Sequence, residues 1–349
     1  MGSKKQVTVG DVKVGGGAPV TVQSMTTVKT SDIPETVAQI KRLESLGCDI
    51  IRVAVPDMQC AEAIAQIREQ THIPVVADVH FDHRLAIRAA ECGASGLRIN
   101  PGNIGGEDNV RAVAQIAAQK GIPIRIGVNG GSISPEILEK HGTVTPQAMY
   151  ESATEHIQLL NKYDFDDICV SVKTSSAMLT IASYRLIAQQ TDYPLHLGVT
   201  EAGTEYMGTI KSSVALGALL SDGIGDTIRV SLTAQPEREV EAGIAILRAL
   251  GLRPGPDLIS CPTCGRCGID LIPIAREVER RLIESRRDIT VAVMGCVVNG
   301  PGEASRADFG IAGGNGEGVL FAKGKVLKKV PMDKLIHELF LAIEGENTI

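Results

Sequence analysis

From residue 20 to residue 250 the sequence alternates, eight times over, a short apolar run with a longer segment of helical periodicity. The apolar runs are 20–25, 49–55, 74–80, 96–100, 123–129, 167–173, 195–201 and 227–232. The helical segments between and after them are 33–46, 61–70, 85–92, 109–120, 146–162, 178–190, 206–221 and 236–250. Glycine closes several of these, as in Leu46-Gly47, Cys92-Gly93 and Lys120-Gly121, where a left-handed residue can end a helix. Strands apolar along their whole length are buried on both faces, which requires a parallel sheet covered by helices. Eight such units predict an α/β fold, a (β/α)₈ TIM barrel. An open doubly wound sheet is the alternative, but it calls for a glycine-rich turn after the first strand, where this chain has Gln23-Ser-Met-Thr26. A short hairpin, 7–14, precedes the first strand.

Periodicity breaks at Arg253-Pro-Gly-Pro-Asp257. This divides the chain into a barrel, 1–254, and a small α+β domain, 255–349. In the second part the pattern predicts a helix over 272–285, a strand over 289–294, a hairpin of 318–322 with 325–329, and a closing helix over 331–344.

Aromatic residues make up only 3% of the 349, with no Trp, so the core is aliphatic and base stacking is an unsuitable function. A net charge of −6 argues against a general nucleic-acid surface but leaves room for a local basic pocket. The opening Met1-Gly-Ser-Lys-Lys-Gln6 lacks the apolar core of a signal peptide, and no stretch approaches the roughly 20 apolar residues of a membrane span. The expected location is the cytoplasm, where eight cysteines do not imply four disulfides. Cys48, Cys60, Cys92 and Cys169 lie in apolar or helical contexts and read as small buried hydrophobes.

Barrel chemistry collects at the C-terminal ends of the strands. Here those ends carry Arg52, Asp78-Val-His80, Arg98-Ile-Asn100, Arg125 with Asn129, Ser171-Val-Lys173, Thr200-Glu201 and Arg229-Val-Ser231. A single strand arginine reads as a rim salt bridge. Arg52, Arg98, Arg125, Lys173 and Arg229 on five strands point instead to a shared anionic ligand, a small phosphorylated molecule such as a diphosphate. His80 and Glu201 suit acid–base work, or else His80 donates to a phosphate and Glu201 orients an arginine.

The second concentration of chemistry is Cys261-Pro-Thr-Cys264-Gly-Arg-Cys267 with Gly295-Cys296 and the turn up to Glu303. Thiolates so spaced, among glycines that allow close backbone approach, select zinc or an iron–sulfur cluster. A disulfide, a redox pair or core-filling thiols are the competing readings. On spacing alone Cys267 and Glu303 are equal candidates for a fourth ligand.

Other segments carry less. Gly313-Gly-Asn-Gly316 reads as a hairpin turn rather than a phosphate loop. His72, His83, His141, His156, His196 and His337 lack ligand spacing and read as surface or helix residues. Lys323, Lys325, Lys328 and Lys329 form a solvated hairpin face, with docking of an acidic partner as the alternative. Thr174-Ser-Ser176 suits a helix cap.

Across essentially its whole length the chain resembles the 4-hydroxy-3-methylbut-2-enyl diphosphate synthases in their bacterial two-domain form. The motifs that carry the resemblance are Val22-Gln-Ser-Met25, Ala77-Asp-Val-His80, Leu97-Arg-Ile-Asn-Pro-Gly102, Arg125-Ile-Gly-Val-Asn129, Ile228-Arg-Val-Ser231, Cys261-Pro-Thr-Cys-Gly-Arg266 and Gly295-Cys-Val-Val-Asn-Gly-Pro-Gly-Glu303. The resemblance implies one [4Fe–4S] cluster per chain held by Cys261, Cys264, Cys296 and Glu303. It implies two-electron reductive ring opening of 2-C-methyl-D-erythritol 2,4-cyclodiphosphate in isoprenoid biosynthesis, with flavodoxin or ferredoxin as electron donor. The same resemblance puts the diphosphate on Arg52, His80, Arg98, Asn100, Arg125, Asn129, Lys173, Arg229 and Ser231. It makes Glu201 a proton source and Glu303 an exchangeable ligand, in a homodimer whose site is shared between chains. Two rival readings remain: a zinc-stabilised binding module, which leaves the cationic mouth unexplained, and a pterin-binding methyl-transfer barrel, which leaves the cysteines unexplained.

Overall fold

Strands that are apolar on both faces bury themselves only if helices cover the outside and side chains fill the inside. The first unit, Met1–Arg253, meets both demands. The structure, a computed structural model, describes residues 3–296, 304–314 and 316–345. A hairpin of β1 (Gln6–Val9) and β2 (Val12–Gly15) comes first. The barrel strands follow: β3 (Thr21–Met25), β4 (Ile50–Ala54), β5 (Val75–Asp78), β6 (Gly96–Ile99), β7 (Ile124–Asn129), β8 (Ile168–Lys173), β9 (His196–Leu197) and β10 (Thr227–Ile228). They run in the order β8-β7-β6-β5-β4-β3-β10-β9, all parallel. The ring is drawn together between β8 and β9 by a bridge from Val170 to Leu195, where the Val170 N–H donates to the Pro194 carbonyl at 2.8 Å. The eightfold (β/α) barrel expected from the alternation is therefore present. Its last two strands are only two residues long, because the chain turns out to the rim early.

The covering helices are α1 (Ile33–Ser45), α2 (Met58–Glu69), α3 (His83–Glu91), α4 (Glu107–Lys120), α5 (Pro135–His141), α6 (Pro146–Asn161), α7 (Ala177–Gln190), α8 (Glu205–Ser221) and α9 (Pro236–Ala249). Start signals are local: Asp57 accepts the Cys60 N–H at 2.8 Å, and Ser176 caps α7 through the Leu179 N–H, as its sequence position suggests. Helix α5 and the 3₁₀ turn Gly130–Ser132 were not expected. Both are too short for periodicity to reveal. The hairpin closes the bottom of the barrel: Val7, Val9 and Val14 pack on Ile50, Val76 and Cys169 around a void of about 30 Å³. Three of the four cysteines read as buried hydrophobes are buried, and Cys92 is partly so.

Arg253 ends this unit at the bottom face. Its guanidinium grips Asp49 through two contacts, 2.7 and 3.1 Å, and donates to the Gly47 carbonyl at 2.9 Å, in the loop that enters β4.

The second unit, Pro254–Ile349, is a five-stranded sheet with helices. Its elements are β11 (Asp257–Ser260), α10 (Leu271–Ser285), β12 (Thr290–Met294), β13 (Phe309–Gly313), β14 (Glu317–Ala322), β15 (Lys325–Pro331), a 3₁₀ turn and α11 (Leu335–Gly345). Strands β11, β12 and β13 are parallel, and β14 and β15 continue antiparallel. Val278 and Leu282 of α10 and Leu335 and Leu339 of α11 meet Val291 and Val293 in the core. Strands β11 and β13 were not expected. The first lies where proline and glycine break periodicity, the second beside a glycine-rich turn. That turn joins β13 to β14 with Gly313 opposite Gly318, as a hairpin connection. No helix among the described residues is long and apolar enough to cross a membrane.

Candidate active site

Period-two alternation decides which strand residues face the barrel interior. Register fixes their heights: Arg52 lies opposite Met25, Arg98 opposite Asp78 and Arg125, and Lys173 opposite Asn129. Gly127 and Gly198 leave gaps on that face. A methyl group at Gly127 would lie 2.5 Å from Nε of Arg98, and one at Gly198 would lie 2.7 Å from the Lys173 ammonium and 2.6 Å from the Arg229 carbonyl oxygen. Absence of side chains there is what lets long cations lie across the barrel.

The result is a cavity of about 260 Å³ into which Arg52, His80, Arg98, Arg125, Asn129, Lys173, Arg229 and Ser231 all open. Four further residues that were not singled out as ligands also line it: Met25, Asp78, Ser171 and Thr200. Two expected residues do not. Asn100 is buried, with its side-chain oxygen accepting the Gly102 N–H at 3.1 Å to shape the turn after β6. Glu201 is exposed in a left-handed conformation, φ +52°, next to the lining residue Thr200.

Buried cations need acceptors, and each arginine has one. Arg98 donates to Asp78 at 3.2 Å and approaches His80 Nε2 at 3.3 Å. Arg52 reaches the other Asp78 oxygen at 3.5 Å and the Met25 sulfur at 2.9 and 3.2 Å. Arg125 donates to the Gln23 carboxamide. Arg229 pairs with Glu239 of α9 at 3.2 Å, and Glu239 also accepts the Leu232 N–H at 2.9 Å. These partners hold the guanidinium planes without using them up: Nη2 of Arg125 and Nε of Arg229 are buried with no hydrogen bond among the described residues. The Lys173 ammonium has no hydrogen bond or ion pair among them.

Burial opposes ionisation of Asp78, yet Arg52, His80 and Arg98 hold it well below the usual carboxylate range. Burial pushes Arg125 down to about 10, and repulsion from Arg98 and Arg229 adds to this. An arginine at that value is still fully charged at neutral pH. Lys173 is pushed well below its ordinary value by burial first, then by Arg125, Arg229, Arg52 and Arg98. His196 corrects the sequence reading. It is neither a surface nor a helix residue but lies in β9, 1% exposed, with Nδ1 3.4 Å from the Thr227 hydroxyl. Burial and the surrounding cations keep its ring neutral. Of the other histidines, His83, His141, His156 and His337 lie in helices and His72 is exposed.

In the second unit, Cys261 follows β11 and Cys296 follows β12, at the same end of two adjacent parallel strands. The Gly295 N–H donates to Cys261 Sγ at 3.2 Å. Cys264 is exposed, and the backbone N–H and guanidinium of Arg266 lower its pKa. Backbone donors and a nearby cation are what a thiolate requires, so these three cysteines fit a soft-metal donor set. Cys267 behaves differently. Its thiol donates to the Ile269 carbonyl at 3.3 Å, and its sulfur would lie 2.4 Å from a methyl group at Gly295. All eight cysteines are free. Among the described residues no three His, Cys, Asp or Glu side chains converge as ligands of a single ion would, and Glu303 lies outside the described residues.

Comparison with known proteins matches residues 4–244 to a family described as the GcpE TIM-barrel domain and residues 257–345 to the GcpE protein C-terminal domain. A relative from Caldanaerobacter subterraneus subsp. tengcongensis, named 4-hydroxy-3-methylbut-2-en-1-yl diphosphate synthase (flavodoxin), is 57% identical over 97% of this chain and 96% of its own. One of the same name from Clostridium acetobutylicum is 55% identical over 98% of each. Among solved structures, Yersinia pestis dihydropteroate synthase covers 71% of this chain and 100% of its own at TM-score 0.50 and 12% identity, a likeness of barrel fold alone.

Proposed function

This chain belongs to the GcpE family, and from that premise we infer how its two units divide one reaction. The activity is that of the family: reductive conversion of 2-C-methyl-D-erythritol 2,4-cyclodiphosphate to 4-hydroxy-3-methylbut-2-enyl diphosphate in isoprenoid biosynthesis. The observation that carries the reading onto this chain is the cavity lined by five cations whose carboxylate partners among the described residues are Asp78, on the lining, and Glu239, behind Arg229. Arg52, Arg98, Arg125, Lys173 and Arg229 bind the diphosphate, with His80, Asn129 and Ser231 as further donors. The reaction takes up two electrons, breaks a carbon–oxygen bond to phosphate and releases the C3 hydroxyl as water. The clamp lowers the barrier because negative charge grows on the phosphate as that bond opens. Glu201, on the rim beside Thr200, is the proposed proton source for the leaving hydroxyl. Asn100 then acts indirectly, by shaping the loop after β6.

Cys261, Cys264 and Cys296 would hold the [4Fe–4S] cluster, with Glu303 as the fourth ligand. When bound, the cluster supplies electrons singly, and an oxygen ligand in place of a fourth thiolate leaves one iron open to exchange. Cys267 suits that role less, because its thiol is already used on Ile269 and packs against Gly295. The donor of electrons is flavodoxin, the carrier in the relatives' names, with ferredoxin the alternative. Free cysteines and an oxygen-sensitive cluster suit the reducing cytoplasm.

The working unit is a homodimer with a site shared between chains. The chain leaves the barrel at its bottom, where Arg253 is clamped to Asp49. From there to Cys261 it spans at most about 28 Å fully extended, and the cavity opens at the other end. A second observation supports a protein cap on that end: Met58, Phe81, Met178, Tyr206 and Met207 are exposed apolar side chains, each in a strand-to-helix connection or the first turn of the helix that follows. Apolar groups so gathered mark an interaction surface.

Anaerobically purified protein should be brown, carry roughly four iron per chain, and convert the cyclodiphosphate when supplied with reduced flavodoxin. Colourless protein with a single zinc, or iron-loaded protein without turnover, would rule the assignment out.

A further inference from the structure

Four of the five cations in the cavity are tied to acceptors: Arg52 and Arg98 to Asp78, Arg125 to Gln23, and Arg229 to Glu239. The fifth is not. Lys173 is 7% exposed and opens into the cavity. Its ammonium lies over the bare backbone of Gly198 and makes no hydrogen bond or ion pair among the described residues. The cavity thus holds one buried amine whose charge nothing among the described residues neutralises.

We propose that Lys173 is the group whose protonation changes when the site fills, taking up a proton as an anionic diphosphate enters. The proposal rests on the diphosphate reading above. Arginine does not lose its proton in proteins, so the four guanidiniums are fixed charges. The ionisable groups facing Lys173 come from strands all round the barrel: Arg52 on β4, Asp78 on β5 and His80 just after it, Arg98 on β6, Arg125 on β7, His196 on β9 and Arg229 just after β10, with Glu239 behind Arg229. Cys169, four residues earlier on β8, is pushed up to about 12 by burial and stays a thiol. Asp78 is locked ionised, and His196 is locked neutral. His80 is half exposed, at the edge of the cavity. Among the described residues of the cavity, Lys173 alone combines burial, an unpaired charge and a pKa displaced toward neutrality.

The direction of the linkage follows. With the cavity empty, burial and four guanidiniums favour the neutral amine. An anion beside it favours the ammonium and raises the pKa. Between the lower value without ligand and the higher value with it, binding absorbs a proton; below or above that window it absorbs none. Affinity therefore falls as pH rises through the window. Charge matching gives the proton a use. A cyclic diphosphate has no monoester phosphate and carries about two negative charges, whereas the opened product carries about three once its monoester ionises. With Lys173 charged, five cations against two carboxylates leave an excess that matches the opened product.

The test is calorimetry of 2-C-methyl-D-erythritol 2,4-cyclodiphosphate binding to iron-loaded, oxidised enzyme without reductant, in two buffers of unlike ionisation enthalpy. Runs are repeated at a series of pH values across the range in which the enzyme stays folded. The expected result is uptake that peaks near one proton per chain. It should vanish in Lys173→Arg, which stays charged at every pH, while His80→Gln binds more weakly but retains it. Lys173→Met, uncharged and of similar length, should also bind without uptake. It serves if the larger guanidinium disturbs the packing over Gly198. Binding without proton uptake at any pH, or uptake that persists in both Lys173 variants, overturns the proposal. Absence of any binding heat in the wild type overturns the diphosphate reading itself.

Discussion

At the scale of single residues, the site is a set of charges whose orientation depends on quieter neighbours. Arg98→Ala and Arg125→Ala should each weaken cyclodiphosphate binding by roughly 1.5–3 kcal/mol, the worth of a charge-assisted hydrogen bond. Iron content should stay normal, since neither residue lies in the unit that bears Cys261, Cys264 and Cys296. Isothermal titration with parallel iron analysis checks both halves of that expectation, and equal loss of iron would make the two arginines structural. Gly127→Ala should act on the same clamp without removing a charge. Its methyl group would sit 2.5 Å from Arg98 Nε, so the guanidinium must move off Asp78. Weaker binding at unchanged folding stability is the expected result, because the far end of a flexible side chain yields more cheaply than backbone. For the thiolates, Cys267→Ser should keep a redox-active cluster and most turnover, whereas Glu303→Ala should lose turnover. The visible spectrum and the rate of turnover decide between them; the opposite pattern would make Cys267 the fourth ligand.

At the scale of elements, the barrel works as a cavity because its other end is stoppered. The hairpin of β1 and β2 puts Val14, 1% exposed, against Ile50, Val76 and Cys169 directly below the Arg125–Gln23 pair. Val14→Ala removes buried methyl groups at a site that already borders a small void. It should cost roughly 1–3 kcal/mol of stability, read as a lower urea midpoint at an unchanged slope. A larger effect on substrate affinity than on the midpoint would instead make the hairpin part of the binding apparatus. In the second unit, parallel pairing of β11 with β12 brings Cys261 and Cys296 to one end of the sheet although a whole helix separates them in sequence.

At the scale of the molecule, the shared site is a claim about reach. If each cluster unit serves a partner's barrel, inactive Cys296→Ser chains mixed with inactive Arg229→Ala chains should regain activity once subunits exchange, since a heterodimer contains one intact site. Mixed dimers that form and remain inactive would sink the model, as would an active monomer. The exposed apolar side chains at the mouth, Phe81 and Met178 among them, should become protected from solvent on dimerisation, which hydrogen exchange or surface labelling can follow.

Much of this was written in the chain in plain form. Eight repeats of apolar strand and amphipathic helix determine a barrel, because a strand buried on both faces has few other homes. Arg52, Arg98, Arg125, Lys173 and Arg229 near five strand ends determine that the mouth is cationic, because alternation sends them to one interior. The cysteine spacing narrows the second unit to a few readings, a soft-metal donor set foremost among them, because ligand chemistry is local. What stayed hidden depends on distance across the fold. Glu239 reads as an ordinary acidic residue in the first turn of a helix; only the packing of α9 sets it on Arg229. His196 looks like any lone histidine until closure of β9 onto β10 buries it beneath the cations. The unpaired state of Lys173 cannot be read from its codon neighbours, since a missing partner is a property of every strand around it. Propensity and pattern act over a few residues, whereas charge pairing and burial are set by which strands become neighbours, and that is decided only when the barrel closes.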